Sequence, residues 1–242
     1  MNLCIDQGNS STKVGIFDHN NLLEYFSFTQ FGESEIDRLY SKFEINACIV
    51  SNVAWENAVL LDQLRNKTRF FLELSHSTSV PIENRYKTPE TLGKDRLAAV
   101  VGASFLKPDT DILVIDAGTA ITFDLIDAKK IYRGGNISAG LNLRLRALHE
   151  FTQKLPLVEA RIDCPLLGDD TQSALFSGAL QGIVFEIDGY IKALKIKYPQ
   201  LSTFLTGGST FYFDTKLKSP IFAERNLVLI GLNQILEYNE QK

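Results

Sequence analysis

Asp111-Ile-Leu-Val-Ile-Asp-Ala-Gly-Thr-Ala-Ile-Thr-Phe-Asp-Leu-Ile-Asp127 runs apolar, meets a carboxylate, a glycine and a hydroxyl, and turns apolar again. Ile112 to Ile115 predicts a buried strand and Ile121 to Ile126 its return. The turn between them gathers Asp116, Gly118 and Thr119 at one point. Gly118 has no Cβ, so the main chain there can come close to a ligand. Backbone N–H groups and Thr119 then face phosphate oxygens, while Asp116 faces a cation. The chain opens with the same grammar: Leu3-Cys4-Ile5-Asp6-Gln7-Gly8-Asn9-Ser10, followed by Ser11-Thr12-Lys13 and an apolar strand. Two acidic hairpins of one pattern predict one structural unit used twice.

Composition narrows the field. With 242 residues the chain is long enough for one broad domain or two related halves. Its net charge of −4 argues against a sequence-independent grip on nucleic acid, which needs a concentrated basic surface. Cys4, Cys48 and Cys164 are odd in number and widely spaced, and so outline neither a zinc site nor a disulfide framework. Asp6 comes too early for a secretory leader, and no apolar run reaches membrane-spanning length. The expectation is a reduced, soluble, cytoplasmic protein.

Along the chain, strands are expected at Asn2–Asp6, Thr12–Asp18, Leu22–Phe28, Ile45–Val50 and Arg69–Leu74, with helices at Glu33–Phe43 and about Glu56–Asn66. That alternation predicts an α/β layer structure with a largely parallel sheet. A loop from His76 to Pro89 leads through Gly93-Lys94-Asp95-Arg96 into a helix, Leu97–Leu106. Lys107-Pro108-Asp109 is the expected boundary, giving halves 1–107 and 108–242. The second half adds a strand at Lys130–Arg133, a glycine-rich connection from Gly134 to Gly140, and a helix at Leu141–Thr152. A long helix follows at Thr171–Tyr198, then a strand at Leu201–Leu205 and a closing helix at Asn226–Tyr238. Gly178, Gly182 and Gly189 cost helix propensity, a cost tolerated where another backbone packs close, which predicts that the long helix lies at a subunit or half–half contact. Trp55 and the scattered phenylalanines are core candidates, and His19, His76 and His149 receive no role.

Taken singly, each motif has a plain alternative: a polar hairpin turn for Asp6–Lys13, a helix N-terminus for Gly93–Arg96, and a strand-to-helix turn for Thr206-Gly207-Gly208-Ser209. Taken in order, Asp6-Gln-Gly-Asn-Ser, Asp116-Ala-Gly-Thr and Thr206-Gly-Gly resemble the phosphate-1, phosphate-2 and adenosine motifs of the acetate-and-sugar-kinase/Hsp70/actin superfamily. Within it the resemblance is to type III pantothenate kinase. It is carried further by Tyr86 seven residues before Gly93, by Gly93-Lys94-Asp95-Arg96, by the hairpin through Asp124, and by Gly134-Gly135 followed by Ile137 and Gly140. One departure is Ala139, where many members carry proline; it bears on the rigidity of that loop.

The resemblance implies two duplicated ribonuclease-H-like halves (the actin-like ATPase fold), each a mixed sheet flanked by helices, with a nucleotide cleft between them. It implies ATP-dependent phosphorylation of pantothenate to 4′-phosphopantothenate, the first step of coenzyme A synthesis. Asp95 would be the general base. Tyr86, Gly93, Lys94, Arg96 and Thr171 would hold the substrate, with Arg96 on its carboxylate. Asp6, Gln7, Gly8, Asn9, Ser10, Ser11, Thr12, Lys13, Thr119, Gly207 and Gly208 would contact ATP. Asp6 would hold Mg²⁺, Asp116 a monovalent cation (K⁺ or NH₄⁺), and the protein would be a homodimer. Competing expectations are a sugar or short-acid kinase of the same superfamily and a catalytically reduced relative serving as a transcriptional accessory factor. An actin-like or chaperone ATPase is disfavoured by length.

Overall fold

All six residues of Asn2–Gln7 (β1) are buried, whereas Asn21–Phe28 (β3) alternates between exposed and partly covered positions. A strand covered on both faces belongs in the middle of a sheet, and one with a wet face belongs at its rim. The computed structural model, which describes residues 1–8, 11–52, 58–161, 164–213 and 215–241 (without the side chain of residue 52), arranges them so. With Thr12–Asp18 (β2), Ala47–Asn52 (β4) and Phe70–Glu73 (β5), the order is β3-β2-β1-β4-β5. β2 is antiparallel to both its neighbours, while β1, β4 and β5 run parallel.

Contacts gather the chain into two units. One comprises Met1–Pro108, Lys130–Arg133 and Asn226–Lys242; the other comprises Asp109–Lys129 and Gly134–Arg225. In the first, Glu33–Lys42 (α1) and Ala58–Lys67 (α2) send Ile36, Leu39, Leu60 and Leu64 into a core with Leu3, Ile5, Val14 and Ile16. Two further helices complete the unit. Nine consecutive residues of Lys94–Leu106 (α3), Arg96 to Ser104, are buried. Leu227–Glu240, the closing helix of the chain, packs on α3 and on β1, β2 and β4.

The second unit repeats the pattern. Ile112–Ala117 (β7) and Ala120–Ile126 (β8) form the antiparallel hairpin, and Ser202–Thr206 (β10) and Phe222–Ala223 (β11) lie parallel beyond β7. Ile131–Ala139 (β9) follows β8, so the order β9-β8-β7-β10-β11 matches β3-β2-β1-β4-β5 strand for strand. The duplication expected from the two acidic hairpins is present. Leu141–Glu150 (α4) and Thr171–Lys197 (α5) cover this sheet, burying Leu145, Phe176, Leu180, Ile183 and Ile187 against Leu113, Ile115 and Phe123. In the first unit a two-residue strand, Glu83–Asn84 (β6), pairs parallel with Ile131 and Tyr132 at the start of β9.

Three local expectations change. Lys94, Asp95 and Arg96 form the first turn of α3, with Gly93 as its N-cap, instead of preceding the helix. The glycine-rich stretch from Gly134 is not a connection but the body of β9; a Cβ at Gly135 would fall deep inside van der Waals contact of Phe123 O, so only glycine lets the strand run there. Within one chain the glycines of α5 meet no close backbone: a Cβ at Gly178 or Gly189 would find nothing within 4 Å, and one at Gly182 only Arg144 Nη1 at 3.4 Å. Trp55 and the expected start of α2 at Glu56 lie outside the described residues. Cys4, Cys48 and Cys164 are free thiols, and burial pushes those of Cys4 and Cys48 up. Among the described residues no helix is long and apolar enough to cross a membrane.

Close helix packing occurs instead between α3 and the closing helix (α6). A Cβ at Gly231 would clash with Ala98 O and lie 2.9 Å from Gly102 N. Gly→Ala in a helix ordinarily stabilises by about 1 kcal/mol. Overpacking costs about 1–3 kcal/mol, and a backbone carbonyl has no rotamer by which to move aside. The clash therefore decides the sign. In chemical denaturation Gly231→Ala should lose stability by about 1 kcal/mol or more, while Gly189→Ala, exposed and unobstructed, should gain a fraction of a kcal/mol.

Candidate active site

Strand ends carry the polar groups. Asp6 is the second-last residue of β1, 6% exposed, with Lys13 of β2 and Ser51 of β4 as its register partners. The turn is closed by the Gly8 N–H donating to Ser11 O at 3.1 Å; Asn9 and Ser10 lie outside the described residues. Thr12 is buried, and Ser11 and Lys13 are partly exposed. Beside Asp6, Gln7 Oε1 and Ser51 Oγ are buried with no hydrogen-bond partner among the described residues. Each such group costs about 1–3 kcal/mol when left unsatisfied. A hydrated cation or phosphate at Asp6 would remove that cost at Ser51, which shares the Asp6 face of the sheet, so the residues present fit a Mg²⁺-nucleotide.

Asp116 holds the equivalent position on β7, flanked in register by Thr122 of β8 and Thr206 of β10. Thr122 Oγ1 is likewise buried and without a partner among the described residues. The turn is pinned by Gly118 N–H donating to Ala120 O at 3.0 Å, which leaves Thr119 exposed. Two other segments press bare backbone onto it. Gly207, at φ +100°, lies so close that a Cβ would clash with Asp116 Oδ1 and stand 2.6 Å from Ala117 O. Ser209 N–H then donates to Ala117 O at 2.9 Å. Gly208, with nothing within 4 Å of its Cβ direction, leaves an open main-chain surface for a flat ligand group.

From the other side, Gly140 N–H donates to Thr119 O at 3.0 Å, and a Cβ at Gly140 would clash with the carbonyls of Gly118 and Thr119. Ala139 stands where proline was expected to stiffen this loop. Here a side chain supplies hold on the loop. Arg144 donates to Ala139 O at 2.8 Å and Ser138 Oγ at 3.0 Å, and pairs with Glu186 of α5.

Most of the residues expected to hold the acceptor meet at the start of α3. Asp95 Oδ1 accepts from Arg96 N–H at 2.8 Å, and the space it occupies is one that a Cβ at Gly93 would fill. The free N–H groups of a helix start favour a carboxylate. Arg96 is 5% exposed; its guanidinium lies 5.7 Å from the Tyr86 ring and donates to Tyr132 Oη at 3.2 Å. Lys94 is partly exposed beside them. Thr171 belongs to the second unit, as the exposed first residue of α5, lining a cavity of about 340 Å³ with Leu148, Leu155 and Leu175.

A type III pantothenate kinase family model matches residues 2–193. The type III pantothenate kinase of Phocaeicola vulgatus is 49% identical over the whole of both chains. The chain belongs to the type III pantothenate kinase family. Solved structures agree on the fold. A conserved Campylobacter jejuni protein assigned to the Baf family of transcriptional activators superposes with a TM-score of 0.61 at 24% identity, covering 99% of this chain and 100% of that one. The ROK hexokinase of Thermus thermophilus gives 0.51 at 15% identity, covering 99% of each. At those identities the likeness is one of fold: two mixed sheets flanked by helices, in the ribonuclease-H-like, actin-like ATPase arrangement.

In this family member the sequence pattern pointed to Asp6, Asp116, Gly207 and the Gly93–Arg96 turn, but not to Ser51, Thr122, Tyr132 or Arg144. Those four sit in ordinary strand or helix patterns, and only pairing or side-chain contact reveals them. The Gly207 contact yields a direct check. Gly207→Ala should abolish or strongly weaken nucleotide binding while the first unit keeps its fold, measured by ATP titration calorimetry beside circular dichroism. Wild-type affinity in that variant would show that the Asp116–Gly207 contact is dispensable.

Proposed function

We propose that this chain phosphorylates pantothenate with ATP, releasing ADP and 4′-phosphopantothenate, the first step of coenzyme A synthesis. The observation that carries the reading is end-to-end identity of 49% with a type III pantothenate kinase in a chain that also places Gly93-Lys94-Asp95-Arg96 on one helix start. Phosphoryl transfer asks little covalent chemistry of a protein; it asks for charge, position and a proton acceptor.

Asp95 is the proton acceptor. Its Oδ1 is engaged by the Arg96 N–H, which fixes the direction of the carboxylate. A weakly basic carboxylate suffices, because the hydroxyl gives up its proton late, as the phosphoryl group arrives. Arg96 receives the pantothenate carboxylate, and Tyr86, Gly93, Lys94 and Thr171 line the acceptor. Gly8, Ser11, Thr12, Lys13 and Thr119 contact phosphates, together with Asn9 and Ser10; Gln7 belongs to the same hairpin. Gly207 and Gly208 offer flat backbone to the adenosine. Asp6 takes a divalent cation and Asp116 a monovalent one. Bound cations of this kind offset the charge of the polyphosphate. Among the described residues no three or more His, Cys, Asp or Glu converge on a metal position, so each carboxylate shares its ion with phosphate, water, hydroxyl or carbonyl oxygens.

The protein acts as a homodimer in this reading. It is consistent with the apolar side chains left open in the second unit, among them Phe151 at 86% and Leu167 at 84% exposure.

The deciding assay is ADP release with ATP, Mg²⁺ and K⁺, with and without pantothenate. Pantothenate-dependent release is expected, and Asp95→Asn should cut kcat by about 10² or more while pantothenate still binds. Release without any acceptor would instead mark an ATPase, and release dependent on a sugar another kinase of this fold. Silence with ATP bound would favour an accessory-factor role. Replacing K⁺ by Na⁺ should lower turnover steeply, and Asp116→Asn should erase that distinction; equal rates in the two salts would remove the monovalent ion from Asp116.

A further inference from the structure

Tyr132 is among the largest side chains in the protein with no exposure at all, yet it carries a hydroxyl. Burying a tyrosine is favourable only when that hydroxyl finds a partner. Its partner here is Arg96, whose Nη2 donates to it at 3.2 Å. Further contacts of Tyr132 fall on the same neighbourhood. Its ring stacks on Tyr86 at 6.0 Å and 27° between planes. Its backbone carbonyl accepts the Arg85 N–H at 3.3 Å, and its register partner across β6 and β9 is Asn84. Asn84 in turn receives the Tyr86 N–H on Oδ1 at 2.9 Å. One residue thus touches both Arg96 and Tyr86, from a strand 36 and 46 positions further along the chain.

A phenylalanine would fill the same volume with no polar group to satisfy. The hydroxyl is what the arrangement requires, and it is spent on a buried guanidinium. An arginine side chain otherwise samples many rotamers, and ordering it costs up to about 2 kcal/mol. With one nitrogen held by Tyr132 and one face near the Tyr86 ring, the guanidinium keeps a fixed plane before any ligand arrives.

We propose that Tyr132 is a positioning residue for the acceptor: acting through Arg96 and Tyr86, it sets the orientation in which the guanidinium meets the carboxylate of pantothenate. This rests on the reading that Arg96 and Tyr86 bind pantothenate.

The test is steady-state kinetics on Tyr132→Phe, Arg96→Lys and the double variant, with folding followed by thermal unfolding. Tyr132→Phe keeps the ring and the stack. It should raise the KM for pantothenate roughly tenfold, the scale of one hydrogen bond to a charged group, while the KM for ATP and the kcat at saturating pantothenate stay within about twofold. In the Arg96→Lys background the same substitution should add little, because its effect passes through the guanidinium. Equal loss for both substrates, a fall confined to kcat, or effects that simply multiply would overturn the proposal. Arg96→Lys with a wild-type KM for pantothenate would overturn the acceptor assignment beneath it. A clear Arg96→Lys defect beside an inert Tyr132→Phe would sink the role of Tyr132 alone.

Discussion

Bare backbone pressed against one acidic turn is the contact on which the second unit depends. Asp116-Ala117-Gly118-Thr119 is met by Gly207 from one side and Gly140 from the other, each near enough that a single Cβ would collide. The contacts on Ala117 O and on the Gly118 and Thr119 carbonyls cannot be relaxed by a rotamer, because both partners are main chain. They dictate glycine at two distant positions, and they bring the strand-end carboxylate, the Gly118 turn and the open Gly208 surface into one rigid neighbourhood. The stretches that resemble a phosphate motif and an adenosine motif are therefore one assembly. Arg144 extends it: bonded to Ala139 and Ser138 and paired with Glu186, it ties the Gly140 side of the turn to α5.

The same strand order serves two different ends. In both units a central buried strand delivers an aspartate at its C-terminal end into an antiparallel hairpin, with parallel neighbours on the other side. The first unit then adds what the second lacks. Helix α3 lies against the closing helix through Gly102 and Gly231, with nine successive residues out of water. A helix so enclosed cannot shift along its axis without disturbing both partners. Its first turn is thereby a fixed platform, and that is where Asp95 and Arg96 stand. The Asp95 carboxylate accepts the Arg96 N–H at the helix N-terminus, and the Arg96 guanidinium meets the Tyr86 ring and the Tyr132 hydroxyl.

Much of this was legible in the residues. The two acidic hairpins, the alternation of strands with helices and the positions of Asp6, Asp116, Asp95 and Gly207 follow from local patterns: apolar runs, a glycine where the chain must turn, a carboxylate at a strand end. Such features are written within a few residues of one another, and the energetic reasons for them are equally local. The boundaries shifted where tertiary contact overrode local chemistry. Gly134 and Gly135 read as a flexible connection, yet they belong to a strand because Phe123 O crosses too close for any side chain. Within one chain Gly178 and Gly189 face open space, while the crossing of α3 and α6 rests on Gly102 and Gly231, which no local pattern singled out.

The sequence by itself determined the repeated α/β unit and the acidic turns, because each is encoded by a short run and its own preferences. Only the tertiary structure decided which distant residues support the candidate site. Tyr132 acquires its meaning from a strand pairing that sets it beside Tyr86 and Arg96, and Arg144 from a helix that carries it back to the loop before it. Ser51 and Thr122 acquire theirs from register alone. A side chain's partner across tens of residues is set by sheet order and helix packing, which no local pattern states.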